Sequence, residues 1–477
     1  MADLLPNDEG PMPRFSVAMT RELDAALAKQ LDRGAGQEDL AFALWRPSRG
    51  RSRLTAILDR VVLPEAGDRV WLPNGTVAFT PQYVVRVLSL ADREHGVAFL
   101  HSHLGPGWQG MSRDDVVAER KRMASATHGY TRLPLVGMTR ATDGAWSARC
   151  WLPDQGGRYR RQDAESVRVV GRRLRQTFHP KLLPPPRVTA AHVATVSVWG
   201  QAKQAELART RVGIVGLGSV GSIVAEALGR MGLTRLAFID HDRIEQRNLD
   251  RTAGALPQDT RVGTPKVEVA RRHVEAVHTA DRIELDPFHG SLLSDGGLAR
   301  VLDCDVLFSC VDRPAPRHVL NALAYAHLIP VVDGGTLAKV DEAGELIHAD
   351  WRIHTVGPER ACMVCLGALG REAITLDLAG KLDDPLYIQG LAPALREQLV
   401  RQSARQNVFP FSLSVAAHEV LQMVGLVTGE ERVGGIGPQM YHCYPGEMCV
   451  DQDAACSDVC EYAALMATAA DISRNFS

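Results

Sequence analysis

Two histidines separated by one residue, His101 and His103, end the apolar stretch GVAFLHSH. Side chains at positions i and i+2 of a strand project from the same face, so both imidazoles can reach one metal ion. Ser112 and Asp115 follow in a turn-rich loop and offer oxygen atoms. Two imidazoles and one oxygen ligand leave the fourth zinc position for water, as hydrolysis requires. The stretch therefore predicts a hydrolytic zinc site.

These residues resemble the JAMM (MPN/JAB) metalloprotease motif, which is His-x-His, seven residues, and then Ser-x-x-Asp. Eight residues separate His103 from Ser112 in this chain, and Leu104 stands where the family often has proline. The longer loop leaves both Asp114 and Asp115 as candidate ligands. Asp115 is preferred because it keeps the Ser-x-x-Asp spacing.

The JAMM family also carries a glutamate far upstream, and Glu38, in QEDLAFAL, resembles it. The resemblance implies that Glu38 takes a proton from the attacking water and passes it to the leaving amine, while Ser112 steadies the oxyanion. Family members cleave bonds made to the C-terminal glycine of ubiquitin or ubiquitin-like proteins. We therefore expect a mixed α/β JAMM domain over residues 1–155.

A glycine-rich turn, Gly216, Gly218 and Gly221, lies between an apolar run and a helical pattern. Missing side chains let backbone amides and the helix N-terminus approach phosphates. Asp240 ends the next apolar run, where an acidic residue binds ribose hydroxyls. Strand and helix patterns then alternate, which predicts a Rossmann-like, doubly wound parallel sheet. By itself the turn would also suit an NAD-dependent dehydrogenase.

The stretches IDHDRIEQRNLDR, GTPKVEVARRHVEAV and SCVDRPAPRHVLN resemble the adenylating domain of ubiquitin-activating enzymes and of the MoeB and ThiF proteins. The resemblance implies ATP and Mg²⁺ as cofactors and an adenylating domain over residues 191–477. The matching positions are Asp240 and Asp242 for D-x-D, with Asp240 on the ribose, Asn248, Arg251 and Lys266 for the triphosphate, and Asp312 for magnesium. In this chemistry a C-terminal carboxylate attacks the α-phosphate of ATP, which gives an acyl-adenylate and pyrophosphate. The cationic residues then act by electrostatic stabilisation.

The nine cysteines fit reduced thiols and a metal site better than a disulfide framework. Cys362 and Cys365 form a C-x-x-C pair. MoeB-like proteins combine such a pair with a second one after a late β-hairpin, which makes a structural tetrathiolate zinc site. The second pair is either Cys456 and Cys460, which we prefer, or Cys443 and Cys449.

Thioester-forming activating enzymes usually place a nucleophilic cysteine after the first zinc pair, but this chain has no cysteine between Leu366 and His442. The stretch FPFS resembles their F-P-x-C context, with Ser412 in place of the cysteine. Ser412 would accept the acyl group as an oxyester, with His418 as its base. Alternatively, Ser412 caps the helix that follows, and the reaction stops at the adenylate, as in MoeB.

Length and charge limit the domain organisation and the partners. A chain of 477 residues is long enough for two or three domains. The basic stretch at 156–190, which ends in the prolines 184–186, predicts a partly helical linker. With 54 Lys and Arg against 56 Asp and Glu, the sequence predicts neither nucleic-acid nor membrane binding. Without a run of about 18 apolar residues, we expect a cytoplasmic protein.

Together these resemblances predict a JAMM peptidase fused to a ubiquitin-like activating enzyme, as in bacterial ubiquitin-like conjugation operons, some of which are associated with antiphage defence. The expected partners are a ubiquitin-like protein, a separate conjugating-enzyme-like protein and a second copy of the adenylating domain. Two alternatives remain besides the dehydrogenase. One is a sulfur-carrier activator for cofactor or natural-product biosynthesis, and the other is a scaffold with an inactive peptidase half.

Overall fold

The computed structural model describes residues 13–470, except for 35, 73–74, 93, 155, 342, 344, 384–388, 390, 392–407, 431 and 433–436. The described residues form two compact units. The first takes its residues from Met1–Gly171, Arg175–Pro184 and Met466–Ala469, and the second mainly from Pro185–Leu465. The boundary between them falls within the run of three prolines.

The first unit is a mixed α/β unit built around one large sheet. Its strands are β1 (Arg14–Thr20), β2 (Leu40–Arg49), β3 (Arg53–Val62), β4 (Arg69–Trp71), β5 (Val77–Phe79), β6 (Gly96–Ser102), β7 (Leu135–Arg140), β8 (Trp146–Pro153), β9 (Tyr159–Asp163), β10 (Ser166–Val170) and β11 (Leu174–Phe178). Its helices are α1 (Arg21–Leu31), α2 (Pro81–Leu90), α3 (Arg113–Val116) and α4 (Ala124–Thr131), and a π-helical stretch, Val117–Met123, joins the last two.

Within the described residues, nine strands form the large sheet in the order β11-β10-β1-β3-β2-β6-β7-β8-β9, while β4 and β5 form a separate hairpin. Strand β2 lies in the middle and pairs antiparallel with both β3 and β6. Its residues from Leu40 to Trp45 are all buried because the sheet is covered on both faces there. Leu40 is opposite His101, so the start of β2 lies beside the end of β6.

The structure differs from the linker expected at 156–190. Residues 159–178 form β9, β10 and β11 of the large sheet, and β10 pairs in parallel with β1. Strand β10, SVRVV, is buried along its whole length, including Arg168. A fully buried arginine among valines looks like a solvated basic segment in sequence, because charged side chains are rarely buried. The expectation of a helical linker was therefore wrong over β9–β11.

The second unit alternates strands and helices from its first strand onward. Its strands are β12 (Arg211–Val215), β13 (Arg235–Asp240), β14 (Glu284–His289), β15 (Val306–Ser309), β16 (Val331–Val340), β17 (Leu346–Val356), β18 (Gln439–His442) and β19 (Glu447–Val450). Its helices are α5 (Val193–Arg209), α6 (Ser219–Arg230), α7 (Pro257–Val262), α8 (Lys266–Val277), α9 (Asp295–Val301), α10 (Pro314–Ala326), α11 (Arg371–Leu378) and α12 (Phe409–Thr428).

The sheet of the second unit has the order β14-β13-β12-β15-β16-β17-β18-β19 among the described strands. Strands β12 to β16 pair in parallel, and β17, β18 and β19 extend the sheet antiparallel. The chain moves outward from β12 first to one side and then to the other, so the switch point lies between β12 and β15. Ligands bind at such a switch point, beyond the carboxyl ends of the strands. The prediction of an α/β chain with a Rossmann-like unit is confirmed.

One described helix, α12, is long and apolar enough to cross a membrane by length and composition alone. Most of it is buried in the second unit, where Val415, Met423 and Val424 are among its buried residues. A core helix of this kind passes the same test as a membrane span. Its apolar character is explained by packing.

Candidate functional site

The structure brings the two histidines of the first unit and one carboxylate together. His101 is near the end of β6, and His103 is the first residue after that strand. Their Nε2 atoms are 3.2 Å apart, and each lies 3.3 Å from a different oxygen of Asp115. Zinc–nitrogen bonds of about 2.0–2.1 Å in a tetrahedron separate two ligand nitrogens by about 3.3 Å. The three side chains therefore have the spacing of ligands to one ion.

Asp115, rather than Asp114, faces the imidazoles. Ser112 caps α3 by accepting a hydrogen bond from the Asp115 amide (3.1 Å), and its own amide donates to Asp115 Oδ2 (2.7 Å). This capping box fixes the Asp115 carboxylate at the start of the helix. Burial raises the pKa of Asp115, but hydrogen bonds from His101 and His103 outweigh burial and hold that pKa well below its ordinary value. Asp114 is exposed.

Glu38 lies two residues before β2, and its amide donates to the carbonyl of Gly75 (3.0 Å). The register of β2 and β6 brings this end of β2 to the metal triad, which we define as His101, His103 and Asp115. Burial raises the pKa of Glu38, and the two imidazoles act in the opposite direction. Glu38 is therefore a half-buried carboxylate within electrostatic range of the triad, which makes it a candidate general base.

A buried carboxylate that the sequence did not reveal supports the helix behind Asp115. Glu119, in the π-helical stretch, is fully buried and accepts hydrogen bonds from Arg149 and from Trp151 Nε1 (2.7 Å). A Cβ at Gly137 would collide with its carboxylate, so the glycine makes room for it. π-Helical turns are frequent at functional sites because they redirect side chains. A lone acid in VVAERKRM gives no sequence signal for this role.

The glycine-rich turn of the second unit lies at the switch point. Gly216 has φ +90°, and a Cβ there would collide with the carbonyl oxygen of Cys310. A Cβ at Gly221 would collide with the carbonyl oxygen of Gly216. Helix α6 begins directly after Gly218 and has no side-chain cap, so its first amides face the space beside the turn, which we call the phosphate cradle. The turn can hold phosphates.

Asp240, Asp242 and Lys266 meet beside the turn. Asp240 ends β13, and its carboxylate accepts hydrogen bonds from the amides of Leu217 (2.6 Å) and Asp242 (2.7 Å). Burial raises the pKa of Asp240, while Lys266 lowers it. Lys266 Nζ lies 2.6 Å from Asp242 Oδ2. A cation is thus held at the edge of the cradle, where phosphate charge must be neutralised.

The other residues predicted to bind the nucleotide lie on two loops that contact this cradle. Ala253, two residues beyond Arg251, donates its amide to Ser222 Oγ of α6 (3.0 Å). The side chain of Asn248 accepts from the Glu245 amide (3.0 Å) and closes the turn before Arg251. Asp312 is exposed and lies two residues beyond Cys310, whose carbonyl packs on Gly216. An exposed carboxylate at this place is suited to Mg²⁺.

Four cysteines of the second unit converge, and their sulfur atoms lie within 4.8 Å of one another. They are Cys362, Cys365, Cys456 and Cys460. The Sγ atoms of Cys362 and Cys460 are 3.7 Å apart, close to the separation of about 3.8 Å that tetrahedral Zn–S bonds give. Amides of Cys362 (3.2 Å) and Cys365 (3.3 Å) donate to thiols in the cluster. The competing pair, Cys443 and Cys449, is exposed in the β18–β19 region.

The structure places Ser412 where an acyl acceptor is not expected. Helix α12 begins at Phe409, with Val408 as its N-cap, so Ser412 lies inside the first turns and does not cap the helix. Its side chain is fully buried. His418 bonds through Nδ1 to the Ser414 carbonyl (2.8 Å) and packs on Trp351. A buried hydroxyl cannot meet the tail of another protein without rearrangement, so this geometry argues against both the cap and the nucleophile.

Comparison with known proteins identifies the family of the second unit. The ThiF family model matches residues 189–373. Molybdopterin-synthase adenylyltransferase of Escherichia coli K12 is 31% identical over 194 residues, which cover 40% of this chain and 73% of that protein. The chain belongs to the ThiF family.

Other ThiF relatives match shorter parts of their own length. Adenylyltransferase and sulfurtransferase MOCS3 of Aedes aegypti is 32% identical over 30% of this chain and 32% of its own. Ubiquitin-like modifier-activating enzyme 5 of Drosophila virilis is 34% identical over 23% of this chain and 30% of its own. This chain thus spans about a third of these two relatives. The crystal structure of E. coli MccB with succinimide covers 59% of this chain and 76% of MccB, at 15% identity and a TM-score of 0.44.

The ThiF match lies in the second unit and contains the glycine-rich turn, Asp240, Lys266 and Asp312. It ends after Cys365 and before Cys456. The metal triad and Glu38 lie outside it, in the first unit. Membership of the family therefore concerns the second unit, and the JAMM assignment of the first stays a prediction.

Proposed function

We propose that the second unit adenylates the C-terminal carboxylate of a ubiquitin-like or sulfur-carrier protein. The observation that carries the proposal is the phosphate cradle at Gly216 and Gly221, beside Asp240 and the Lys266–Asp242 pair, in a ThiF-family unit. Relatives named adenylyltransferases and ubiquitin-like modifier-activating enzymes support it. A dehydrogenase needs no cation at this position, because its cofactor loses no pyrophosphate.

In the proposed reaction the attacking carboxylate oxygen bonds to the α-phosphorus of ATP, and the bond from that phosphorus to the β-phosphate oxygen breaks. Two anions must meet, so the barrier falls when positive charge lies at the phosphates. Amides of the turn and of α6 would bind phosphate oxygens, and Lys266 and Arg251 would neutralise the leaving pyrophosphate. Asp240 would accept from the ribose hydroxyls. Mg²⁺ held by Asp312 would supply further charge neutralisation.

The adenylation proposal is tested by ATP–pyrophosphate exchange with a panel of ubiquitin-like and sulfur-carrier proteins ending in Gly-Gly. Lys266→Met should reduce exchange by more than about 100-fold, because one charge-assisted contact of this kind is worth about 3 kcal/mol. Arg271→Gln is the matched control, since Arg271 is on the same helix and pairs with Glu268 and Glu275. Exchange that needs no Gly-Gly protein, or that survives Lys266→Met, contradicts the proposal.

We also propose that the first unit is a zinc-dependent peptidase that cleaves at the C-terminal glycine of the same ubiquitin-like partner. The metal triad and the half-buried Glu38 support this proposal, because a hydrolytic zinc site needs three protein ligands and a nearby base. Zinc would supply Lewis acidity. Glu38 would take the proton from the attacking water and deliver it to the leaving amine, and Ser112 would donate to the oxyanion.

The peptidase proposal is tested with a ubiquitin-like protein extended beyond its C-terminal glycine by a short peptide. Asp115→Asn should abolish cleavage and remove one of two bound zinc ions, as counted by elemental analysis. Asp114→Asn is the matched control, because Asp114 is the exposed neighbour of the ligand, and it should retain both. Cleavage that survives Asp115→Asn, or two zinc ions in that variant, overturns the assignment. Loss of zinc in Asp114→Asn instead would transfer the ligand role to that residue.

Together the two activities suit a bacterial ubiquitin-like conjugation pathway, including antiphage systems, in the cytoplasm. One unit would expose or release the tail that the other activates, with a separate conjugating-enzyme-like protein as acceptor and a second copy of the chain as dimer partner. A thiocarboxylate on the carrier, seen by mass spectrometry after addition of a sulfur donor, would favour the sulfur-carrier alternative. A first unit that binds zinc but cleaves nothing would favour the scaffold.

A further inference from the structure

Asp39 of the first unit is a carboxylate that accepts hydrogen bonds from two arginines. Its side chain is fully buried, and it follows Glu38 directly. Oδ2 accepts from Gln30 (2.8 Å) and from Arg33 Nε (2.6 Å). Arg69 donates to both carboxylate oxygens (2.9 and 2.6 Å), and the Leu40 amide donates to Oδ1 (2.8 Å). The carboxylate joins the end of α1, the start of β2 and the β4–β5 hairpin.

The backbone of the same residue is bonded to the serine between the two zinc-ligand histidines. The Asp39 amide donates to Ser102 Oγ (2.9 Å), and the Ser102 amide donates to the Asp39 carbonyl (3.0 Å). Ser102 is buried and lies between His101 and His103. One reciprocal pair of hydrogen bonds therefore sets the distance from the start of β2 to the metal triad.

We propose that Asp39 is a positioning residue for the hydrolytic site, which holds Glu38 in register with the metal ligands. The backbone of Asp39 is hydrogen-bonded to Ser102, and its side chain is held by α1, β2 and the β4–β5 hairpin. The position of Glu38, the residue before it, is therefore fixed. The inference rests on the proposed peptidase function. Asp39 belongs neither to the proposed metal ligands nor to the proposed acid–base residues.

The physical reason is the sensitivity of proton transfer to distance. A general base must stay within hydrogen-bond reach of the water it activates, and a displacement of about 1 Å costs about 100-fold in rate. Loss of the Asp39 charge would leave Arg33 and Arg69 without their buried counter-charge and would let the start of β2 move. The metal triad would remain, because none of its three side chains contacts the Asp39 carboxylate through these bonds.

The test compares the full chain with Asp39→Asn, Arg33→Gln and Glu165→Gln. Arg33→Gln is the milder variant, because Arg33 is partly exposed and its replacement removes only one of the donors to Asp39. Glu165→Gln is the matched control: Glu165 is a buried carboxylate 3.7 Å from Arg53 and directly precedes β10, which β1, β3 and β2 separate from β6 in the sheet. The probe is a ubiquitin-like protein extended by a short peptide. Cleavage kinetics, zinc content and amide hydrogen exchange are measured for each.

We expect Asp39→Asn to lower kcat about 10- to 100-fold with KM within twofold and both zinc ions retained. Arg33→Gln should lower kcat by a smaller factor. Exchange of the Asp39 and Ser102 amides should accelerate in Asp39→Asn and stay unchanged in Glu165→Gln. If Asp39→Asn does not fold, Arg33→Gln decides with the same measurements.

The inference is overturned if the folded Asp39→Asn keeps kcat within twofold of Glu165→Gln, or if it loses one zinc, because the residue would then hold the metal rather than the base. A wild-type chain that binds zinc but does not cleave the probe defeats the proposed function instead. In that case the exchange of the Ser102 amide still reports whether Asp39 holds the two strands in register.

Discussion

Replacing Gly221 by alanine should destroy the phosphate cradle, because its Cβ would lie far inside 3.0 Å of the Gly216 carbonyl oxygen. It would also lie 3.2 Å from the Cβ of Cys310. The first obstacle is main chain, which has no alternative rotamer, so the turn and α6 must move apart. Overpacking of this kind costs about 1–3 kcal/mol, and a backbone obstacle favours the upper end of that range.

Two measurements follow from that magnitude. A loss of about 3 kcal/mol should lower the melting temperature of the second unit by about 6–12 °C. A displacement of the turn by about 1 Å should lower ATP–pyrophosphate exchange about 100-fold. Differential scanning calorimetry and the exchange assay with a Gly-Gly carrier give both values on the same protein preparation.

The matched control is Gly218→Ala, in the same turn. A Cβ at Gly218 meets no described atom within 4 Å, so melting should be unchanged. The open space is where phosphate is proposed to bind, and the KM for ATP should therefore rise. The reasoning is refuted if Gly221→Ala melts like the wild type, or if Gly218→Ala loses as much stability as Gly221→Ala does.

Three further results are expected. Cys365→Ser should lose one zinc and lower the melting temperature of the second unit, whereas Cys449→Ser should keep the zinc; elemental analysis that gives the reverse would move the site to the other cysteine pair. Ser412→Ala should adenylate the carrier normally, and intact-mass spectrometry should find no hydroxylamine-sensitive adduct on the wild-type chain; an adduct that Ser412→Ala removes would restore the nucleophile. Asp259, which Arg272 clamps through two hydrogen bonds of 2.8 and 2.7 Å, has its pKa lowered to about 2 by that side chain. Because the folded pKa is depressed, this stability is present above pH of about 4 and is lost as pH falls towards 2, so Asp259→Asn should cost about 1–2 kcal/mol at pH 7 and about half of that at pH 3 in urea unfolding; an equal cost at both values contradicts the ionic origin.

The fold of the second unit could be predicted from the sequence because its strands, turn and helices each have local sequence signals. The glycine-rich turn after an apolar run predicts both the fold and the phosphate cradle, and alternation of strands and helices predicts the parallel strands around it. Spacing also selected His101, His103 and Asp115, which the fold brings together. Each of these predictions depends on residues near one another in the chain.

Features that depend on distant partners were not readable. Strand β10 was hidden by Arg168, whose burial follows from the sheet around it rather than from its neighbours in sequence. The role of Asp39 depends on Arg69 and Ser102, which are far from it in the chain and contact it only after folding. Ser412 looked like a helix cap because the helical pattern VAAHEVLQMVG follows it, yet the helix already begins at Phe409.

The contact between Glu119 and Gly137 has an evolutionary consequence. The carboxylate of Glu119 occupies the space that a side chain at 137 would need, so position 137 cannot gain a side chain while glutamate stands at 119. Homologous first units should keep glycine at 137 wherever glutamate stands at 119. A shorter residue at 119 should be accompanied by a side chain at 137 and by changes at Arg149 and Trp151, whose donors would otherwise be left without an acceptor. These four positions should therefore be inherited as a group.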